Sequence, residues 1–308
     1  MQFGALSETC KLSTVLMHRP GREISVVTPA TLSYYGFRAV PNLKNLQIEF
    51  DYLIKTLENE GVEVVLLNDL INRVDRSHSL PNLYFTRDII SITDIGLIVM
   101  NMGIAGRLNE PSIAKQALEQ QIPVAFEIAS PGQLEGGDFV YIDERTLAVG
   151  YGPRTNKKGI IQLIQGLRSS LVEEIISVPL PPDLIHLDQI FSVIAPRLCI
   201  VHEPSLKYGL AHINRRGEEK KEPFLSYLKK NRFEMIPVST EEVKQFGANV
   251  CAIKPEKLVI YEWNKRIITE LKERGNDVIP IQGIELVKGG GGPHCMTCPI
   301  LRESSSSF

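Results

Sequence analysis

The chain of 308 residues has little of what several special classes of protein require. Its 34 basic and 36 acidic residues leave a formal net charge of −2, and no basic domain or stripe typical of nucleic-acid binders stands out. No stretch reaches the roughly 18 apolar residues of a membrane-spanning helix. The five cysteines are odd in number and lack the spacing of a disulfide framework. The sequence therefore predicts a cytoplasmic globular protein that binds neither nucleic acid nor membrane.

Helical and strand patterns alternate along the chain. Five segments with helical spacing of apolar residues are each followed by a short β-branched run, and further strand candidates, such as 24–28, lie between these units. The helical segments lie at 46–57, 112–121, 160–171, 219–231 and 267–271. A strand, strand, helix, strand order recurring about five times predicts a closed α/β array with its site at the centre.

No low-complexity linker divides the chain, so we predict a single catalytic domain over residues 1–303. The serine-rich tail, residues 304–308, is expected to be disordered.

The loop at residues 289–299 reads Gly-Gly-Gly-Gly-Pro-His-Cys-Met-Thr-Cys-Pro. Four glycines let a ligand approach the backbone closely, and Cys295 follows them beside His294, as suits an accessible nucleophile. The spacing of Cys295 and Cys298 also fits a zinc or redox pair, which stays as an alternative. Zinc needs two more ligands at comparable spacing, and the other cysteines are isolated. We therefore predict a nucleophilic Cys295, with no metal and no cofactor.

Three further loops collect polar residues: Pro-Asn-Leu-Tyr-Phe-Thr-Arg-Asp at 81–88, Leu-Glu-Gly-Gly-Asp at 134–138 and Ile-His-Leu-Asp at 185–188. On an extended segment His186 and Asp188 face the same side. The histidine can then shuttle protons while the carboxylate binds a cation. Each loop alone is explained by turn capping or a surface ion pair.

Together, one cysteine, one histidine and several carboxylates in glycine-rich loops indicate a site for a small, planar, cationic substrate. Carboxylates grip a guanidinium through paired hydrogen bonds. An ionised cysteine can attack the central carbon, and a histidine can protonate the departing amine and then activate water. The residues therefore predict covalent catalysis on a guanidino compound.

In their order along the chain, from about residue 15 to residue 303, these motifs resemble the guanidino-group-modifying enzymes of the pentein fold, and most closely arginine deiminase. The resemblance implies a five-bladed α/β propeller of repeated ββαβ units around a central active site. It also implies hydrolysis of L-arginine, or of a close guanidino or ureido analogue, to L-citrulline and ammonia through a covalent amidino-cysteine intermediate. No cofactor is implied.

The resemblance also implies roles for five catalytic residues. Cys295 is the expected nucleophile and His186 the expected general acid and base, oriented by its hydrogen bond to Glu135. Asp88 and Asp188 are expected to clamp the guanidinium nitrogens.

Four more residues are expected at the other end of the substrate. Arg154 and Arg107 are expected to bind its α-carboxylate, and Asn82 and Phe85 to shape the same end of the site. The sequence does not settle the oligomeric state, for which a homodimer is one option.

Two departures from the family pattern keep other reactions open. The helical insertion that precedes the 81–88 motif in bacterial arginine deiminases is missing, and Gly290 stands where the family usually has an arginine. A glycine run followed by His-Cys-x-Thr-Cys also resembles the amidinotransferases, which move an amidino group from arginine to an amine. An amidinotransferase and a citrulline ureidohydrolase are therefore alternatives, and a non-catalytic arginine-binding or zinc/redox module is a further one.

Overall fold

A computed structural model describes residues 1–71 and 79–303. The tail 304–308 lies outside the described residues, so its disorder stays a prediction. The strands are β1 (Leu12–Met17), β2 (Glu63–Leu66), β3 (Ile90–Thr93), β4 (Gly96–Val99), β5 (Val124–Glu127), β6 (Phe139–Asp143), β7 (Thr146–Tyr151), β8 (Glu174–Pro179), β9 (Phe191–Ala195), β10 (Leu198–Val201), β11 (Leu210–Arg215), β12 (Glu218–Pro223), β13 (Glu234–Pro237), β14 (Cys251–Lys254), β15 (Lys257–Tyr261), β16 (Asp277–Ile281) and β17 (Cys298–Arg302).

The helices are mostly short and connect these strands. They are α1 (Leu32–Tyr35), α2 (Leu43–Asn59), α3 (Leu67–Leu70), α4 (Thr86–Ile89), α5 (Glu110–Leu118), α6 (Lys157–Gly166), α7 (Glu203–Leu206), α8 (Phe224–Lys230), α9 (Thr240–Lys244) and α10 (Lys265–Glu273). No helix within residues 1–71 and 79–303 is long and apolar enough to cross a membrane.

Within the described residues the strands form five sheets of one common design. In each sheet an antiparallel pair is extended by a parallel strand that follows a helix. The sheet orders are β17-β1-β2, β3-β4-β5, β6-β7-β8, β9-β10-β13 and β14-β15-β16, and the hairpin β11–β12 adds two strands to β8. The first sheet pairs β17, near the end of the chain, with β1, near its start.

Helix α2 shows how local sequence builds one of these units. The side chain of Asn42 caps its start by accepting a hydrogen bond from the amide of Asn45 at 3.1 Å. Leu46, Phe50 and Leu53 recur at helical spacing and are fully buried against strands of the first and last sheets. Burying side chains of this size stabilises the fold by roughly 1.5–3 kcal/mol each.

Two predicted elements were wrong. Residues 24–28 were expected to form a strand, but Arg22–Val26 form a 3₁₀ helix, in which the buried Glu23 side chain accepts a hydrogen bond from the amide of Gly21. The polar groups of this segment are therefore satisfied by local hydrogen bonds instead of by pairing with a neighbouring strand. Residues 219–231 were expected to form one helix, but β12 occupies Glu218–Pro223 and only α8 is helical. Pairing with β11 after a left-handed turn at Gly217 (φ 96°) overrides the helical preference of this Glu/Lys-rich run.

Candidate active site

The polar motifs of the sequence share one position in the repeat. A chemically active side chain lies just ahead of the first strand of each sheet. The residues are Asp88 before β3, Asp138 before β6, Asp188 before β9, Asn249 before β14 and Cys295 before β17. Since the sheets repeat the same connectivity, this position brings residues distant in sequence to one place.

The thiol of Cys295 lies in a buried, polar pocket. Its Sγ–H donates to Asp188 Oδ2 at 3.2 Å, and Asn249 Nδ2 donates to Sγ at 3.1 Å. Asn249 Nδ2 also contacts the carbonyl of Asp188 at 3.2 Å, so this amide ties the nucleophile loop to the 185–188 loop. Burial, followed by the charges of Asp188 and Asp88, raises the pKa of the Cys295 thiol well above its ordinary value. The thiol is therefore neutral until a cation enters the site.

His186 and Glu135 form a buried ion pair. Their Nε2 and Oε2 atoms are 2.7 Å apart, and Glu135 Oε1 accepts a hydrogen bond from the amide of Gly103 at 2.7 Å. Although burial opposes it, the charge of Asp88 and the bond to Glu135 raise the pKa of His186 to about 9. Burial likewise opposes ionisation of Glu135, but the bond to His186 and the charge of Arg154 lower its pKa to about 2. The pair is therefore imidazolium and carboxylate at neutral pH.

A glycine makes room for the imidazole. A Cβ atom on Gly137 would lie 2.5 Å from His186 Nδ1 and 3.0 Å from Asp88 Oδ1. Any side chain at this position would push His186 away from the carboxylates. This contact explains the second glycine of the 134–138 motif.

Asp88 is held by a buried arginine. Arg107 Nη1 donates to Asp88 Oδ2 at 2.6 Å, and Arg107 Nε donates to Glu110 Oε2 at 2.8 Å. The other oxygen, Asp88 Oδ1, is buried, has no hydrogen-bond partner among the described residues and lies 3.8 Å from His186 Nδ1. One oxygen of Asp88 is thus anchored and the other is left for a donor that enters the site.

Asp188 is arranged in the same way. Its Oδ2 accepts from Cys295 and faces His294 Nδ1 at 2.9 Å, whereas its Oδ1 is buried without a hydrogen-bond partner in the part of the chain that the structure describes. Burial opposes ionisation, but the hydrogen bond from His294 lowers the pKa of Asp188. The carboxylate therefore remains charged although it is fully buried.

Cys295, His186 and Asp88 line one small cavity. The remaining lining residues are Tyr35, Gly36, Asn82, Phe85, Arg107, Arg154, Ile185, Gly289, Gly290 and Gly291. The cavity holds about 20 Å³, which is room for one water molecule. An arginine-sized ligand therefore requires its walls to separate.

The four residues expected at the far end of the substrate all line this cavity. Arg154 Nη1 contacts Glu135 Oε2 at 3.2 Å, and its other terminal nitrogen lies beside Gly36. Asn82 donates to the carbonyl of Tyr35 at 2.9 Å. The ring of Phe85 packs so closely on Gly291 that a Cβ there would lie 2.4 Å from the ring. Arg107 differs from the others because Asp88 and Glu110 already engage two of its nitrogens.

The structure thus brings together all nine residues that the sequence singled out, and it adds others. Asn249, Glu110 and Glu8 were missed, and His294 had no assigned role. Their sequence neighbours do not mark them as functional, because an isolated amide or glutamate side chain also occurs in many purely structural positions. The 185–188 loop also differs in conformation from the expected extended segment: Leu187–Gln189 form a 3₁₀ helix, so His186 and Asp188 reach different partners.

Asp88, Glu135 and His186 offer ligand atoms that lie within 4.8 Å of one another, so this group could hold a metal ion. Two of these contacts are already used, because Glu135 is bonded to His186 and Asp88 to Arg107. The same carboxylates also suit a planar organic cation such as a guanidinium, which they can bind through paired hydrogen bonds.

The family model described as arginine deiminase matches residues 76–302 of this chain. The chain belongs to the arginine deiminase family. The family places it among the hydrolases that act on guanidino groups, within the superfamily that also includes the amidinotransferases.

Two curated members of the arginine deiminase family show how the chain relates to others. The arginine deiminase of Listeria monocytogenes serotype 4a (strain HCC23) is 27% identical over 399 aligned residues, which cover 97% of each chain. That of Pediococcus pentosaceus is 26% identical and covers 96% of this chain and 98% of the relative. Because the alignments exceed the 308 residues of this chain, the relatives are longer, as the missing insertion led us to expect.

Solved structures share the mixed α/β fold. Dimethylarginine dimethylaminohydrolase from Pseudomonas aeruginosa, a cysteine-to-serine mutant complexed with citrulline, is 20% identical, with a TM-score of 0.73 over 94% of this chain and 99% of that one. The N-terminal domain of ArgZ, an arginine dihydrolase from the ornithine–ammonia cycle in cyanobacteria, is 18% identical in its product-bound structure. Its TM-score is 0.73, over 95% of this chain and 98% of that one.

Proposed function

We propose that this protein hydrolyses the guanidinium group of L-arginine, or of a close guanidino analogue, to a ureido product and ammonia through an amidino adduct on Cys295. One observation carries the proposal. Beside a buried thiol, Asp88 and Asp188 each present one buried carboxylate oxygen that has no hydrogen-bond partner among the described residues. Two such oxygens match the N–H groups of a planar guanidinium. Few other ligands present at neutral pH would donate hydrogen bonds to both buried oxygens.

In the first step the cation makes the nucleophile available. The guanidinium offsets the negative charges that raise the pKa of the thiol, so Cys295 ionises and its sulfur bonds the central carbon. A C–N bond then breaks as His186, protonated in the free site, donates to the departing nitrogen. His186 supplies the third hydrogen of ammonia, the proton lost by the thiol leaves with it as ammonium, and an S-amidino adduct remains.

In the second step His186 acts as a base. Having given up its proton, the imidazole takes one from a water molecule, and the resulting hydroxide attacks the adduct carbon. The C–S bond breaks, the thiol is restored and a ureido product leaves. Glu135 holds the imidazole through both steps, because its short bond to Nε2 fixes the ring.

Arg154 is the residue that we assign to the carboxylate of an amino-acid substrate. It lines the cavity, and one end of its guanidinium faces the Gly36 side of the wall. Asn82 and Phe85 are assigned to the same end. Arg107 Nη2 donates to the carbonyls of Asn82 and Phe85 at 3.5 Å, so each nitrogen of this arginine already has a partner and its contacts favour a part in holding Asp88.

We also propose that residues 1–303 form a single domain in which the five sheets are the blades of a propeller around this site. Contacts of β17 with β3, of β6 with β9 and of β14 with both β9 and β1 support this arrangement. The bridge between Asn101 and Leu134 supports the remaining junction. The cytoplasmic location and the homodimer stay predictions.

The test is incubation of the purified protein with L-arginine alone, followed by assays of citrulline and ammonia. We expect both products in equal amounts. Acid quenching during turnover, followed by peptide mass spectrometry, should show an amidino adduct on the peptide that contains Cys295. Cys295→Ser should abolish product and adduct, whereas the matched control Cys199→Ser, at a buried cysteine outside the site, should keep both.

Parallel reactions decide between the alternatives. Agmatine, methylarginines and citrulline test the length and substitution of the substrate, and citrulline tests ureidohydrolase activity. Arginine with glycine as amine acceptor tests the amidinotransferase, for which ornithine should form only when the acceptor is present. No turnover of any of these compounds would reject the guanidino-hydrolase proposal for this site.

A further inference from the structure

The histidine next to the nucleophile lies between two buried carboxylates. His294 is 3% exposed, and its Nδ1 and Nε2 atoms lie 2.9 Å from Asp188 Oδ2 and 3.1 Å from Glu8 Oε2. Glu8 is itself 5% exposed and comes from the start of the chain. His294 does not line the cavity, and its side chain is connected to the thiol of Cys295 through Asp188 Oδ2, which faces both.

The hydrogen bonds determine the charge of this histidine. A neutral imidazole has one donor nitrogen and one acceptor nitrogen, whereas an ionised carboxylate only accepts. Both ring nitrogens of His294 face carboxylate oxygens at hydrogen-bond distance. Only the imidazolium can donate to both of them. The arrangement Glu8, His294 and Asp188 is therefore carboxylate, cation and carboxylate.

Other charged groups complete the surroundings of His294. Arg87 Nε donates to the carbonyl of His294 at 2.9 Å, and Arg87 Nη1 lies 3.6 Å from Glu8 Oε1. The titratable and charged groups that face His294 or its two carboxylates come from several elements. They are Glu8 at the N-terminus, Arg87 in α4, Tyr141 in β6, His186 and Asp188 around the Leu187–Gln189 helix, Cys295 in its own loop, and Cys298 and Arg302 in β17.

The attack on a guanidinium requires an unusual amount of negative charge in one place. When the sulfur bonds carbon, Asp88, Asp188 and the ionised Cys295 all surround a single substrate cation. Arg107 balances Asp88, and His294 is the cation bonded to the side chain of Asp188. Without it, a buried carboxylate and a buried thiolate 3.2 Å apart would repel each other, and one of them would keep its proton.

We propose that His294, held as an imidazolium by Glu8, is a positioning residue that keeps Asp188 and Cys295 able to carry negative charge together. The inference rests on the proposed function, since it explains how that thiol becomes a nucleophile. The bond from His294 is the principal influence that lowers the pKa of Asp188 against burial, and the charge of Asp188 raises the pKa of the thiol. Glu8 is ionised well below neutrality, because Arg87 and His294 overcome its burial and lower its pKa to about 2.

Two variants test this inference through the thiol itself. His294→Gln removes the cation. Glu8→Gln keeps the histidine but removes the carboxylate to which Nε2 of His294 donates a hydrogen bond. The readout is the rate at which iodoacetamide labels the Cys295 peptide, measured by mass spectrometry between pH 6 and pH 9 without substrate. We expect His294→Gln to label about tenfold more slowly throughout, as a rise of one unit in the thiol pKa implies.

Glu8→Gln gives the sharper result because its effect depends on pH. Near pH 6 an imidazole binds a second proton without special support, and labelling should match the wild type. At higher pH the variant lacks the carboxylate that accepts a hydrogen bond from His294 Nε2 in the wild type. Labelling and kcat/KM should then fall to about a tenth of the wild-type values by pH 9.

A second buried His–Glu pair provides the matched control. His18 Nε2 and Glu23 Oε1 are 3.2 Å apart and equally buried, and neither residue lines the cavity. His18→Gln and Glu23→Gln should leave the labelling of Cys295 unchanged at every pH. Thermal unfolding and circular dichroism check that all four variants are folded.

Identical labelling profiles for wild type, His294→Gln and Glu8→Gln would overturn the inference, and so would an equal fall in the His18→Gln control. Because labelling needs no substrate, this outcome is separate from the fate of the proposed function. If the wild type hydrolyses arginine but the profiles coincide, only the role of His294 fails. If the profiles differ but no guanidino compound is hydrolysed, the proposed reaction fails and the charge network stands.

Discussion

Two rows of buried charges hold the two aspartates of the site, and their similarity makes their difference informative. Each row is an aspartate of the site, a cation and a second carboxylate: Asp88, Arg107 and Glu110 in the Arg107 row, and Asp188, His294 and Glu8 in the His294 row. In both rows the aspartate Oδ2 is bonded within the row and Oδ1 has no partner among the described residues. The shared design fixes a carboxylate while leaving one oxygen for a ligand.

The outer carboxylates of the two rows behave in opposite ways. Burial raises the pKa of Glu110 to about 7, because Arg107 is shared with Asp88 and the charge of Glu135 adds repulsion. The pKa of Glu8 is lowered to about 2 against the same burial, because Arg87 and His294 both lie close to it. Complete burial is common to both glutamates. The number of cations beside each carboxyl therefore decides whether it is ionised.

The cations differ as well. Arg107 keeps its charge at every accessible pH, whereas His294 can lose a proton. The Arg107 row is thus a fixed support, and the charge of the His294 row, which contacts the thiol, can change with pH.

The largest expected effect tests what the rows have in common. Asp88→Asn and Asp188→Asn should each lower kcat/KM about 1000-fold, or about 4 kcal/mol of transition-state stabilisation, because each removes a charged acceptor for the guanidinium. Steady-state kinetics with the preferred substrate measure the loss. The matched control is Asp51→Asn, at an exposed ion pair with Arg19, which should change kcat/KM less than twofold. If only one aspartate proved important, the two rows would not be equivalent clamps.

The chemistry of these rows was only partly predictable from the sequence. The aspartates were found because they lie in recognisable polar motifs with glycines beside them. Their supports were not, because the second carboxylate of a row is distant in sequence or has no motif of its own. Glu8 lies 286 positions from His294, and no spacing rule connects residues so far apart.

Asn249 shows what the repeat itself could have revealed. The other four sheets have a polar or ionisable residue one to three positions ahead of their first strand, and the fifth helical unit, residues 267–271, was recognised from its apolar spacing. The same region ahead of β14 contains Asn249, two residues before Cys251. The hairpin β11–β12 could not be found in this way, since it is inserted in one unit and its strand residues have helical propensity.

The next prediction uses the opposite ionisation of Glu110 and Glu8. A carboxyl whose folded pKa is raised from 4.5 to about 7 contributes stability below pH 4.5 that is lost as the pH rises through 7. Between pH 5 and pH 8 Glu110 should therefore cost the wild type about 2.5 kcal/mol of unfolding free energy, by linkage. Glu110→Gln should remove this loss, so its stability relative to the wild type should improve by that amount from pH 5 to pH 8.

Glu8→Gln is the comparison that sharpens this result. The lowered pKa of Glu8 contributes stability that is present above pH 4.5 and is lost only as the pH falls through about 2. The Glu8 carboxyl therefore adds no pH-dependent loss to the wild type in this range, and the stability of Glu8→Gln relative to the wild type should not improve between pH 5 and pH 8. Urea unfolding of both variants and the wild type at the two pH values measures these differences. If the stability of both glutamine variants relative to the wild type changed in the same way from pH 5 to pH 8, the distinction between the rows would be contradicted.

The smallest expected effect concerns the other cysteine of the Cys295–Cys298 pair. Cys298 is buried in the same small cavity as Glu8 and Arg87, and its thiol contacts the carbonyl of Ile90 at 3.6 Å. Burial raises its pKa to about 12, so it is a neutral thiol, and all five cysteines are free. Cys298→Ser keeps an O–H donor of similar size and should change kcat/KM less than about threefold. A large loss of activity, or of bound zinc, would mean that both sulfurs act together, and the two rows would then serve a metal or redox site instead of a single nucleophile.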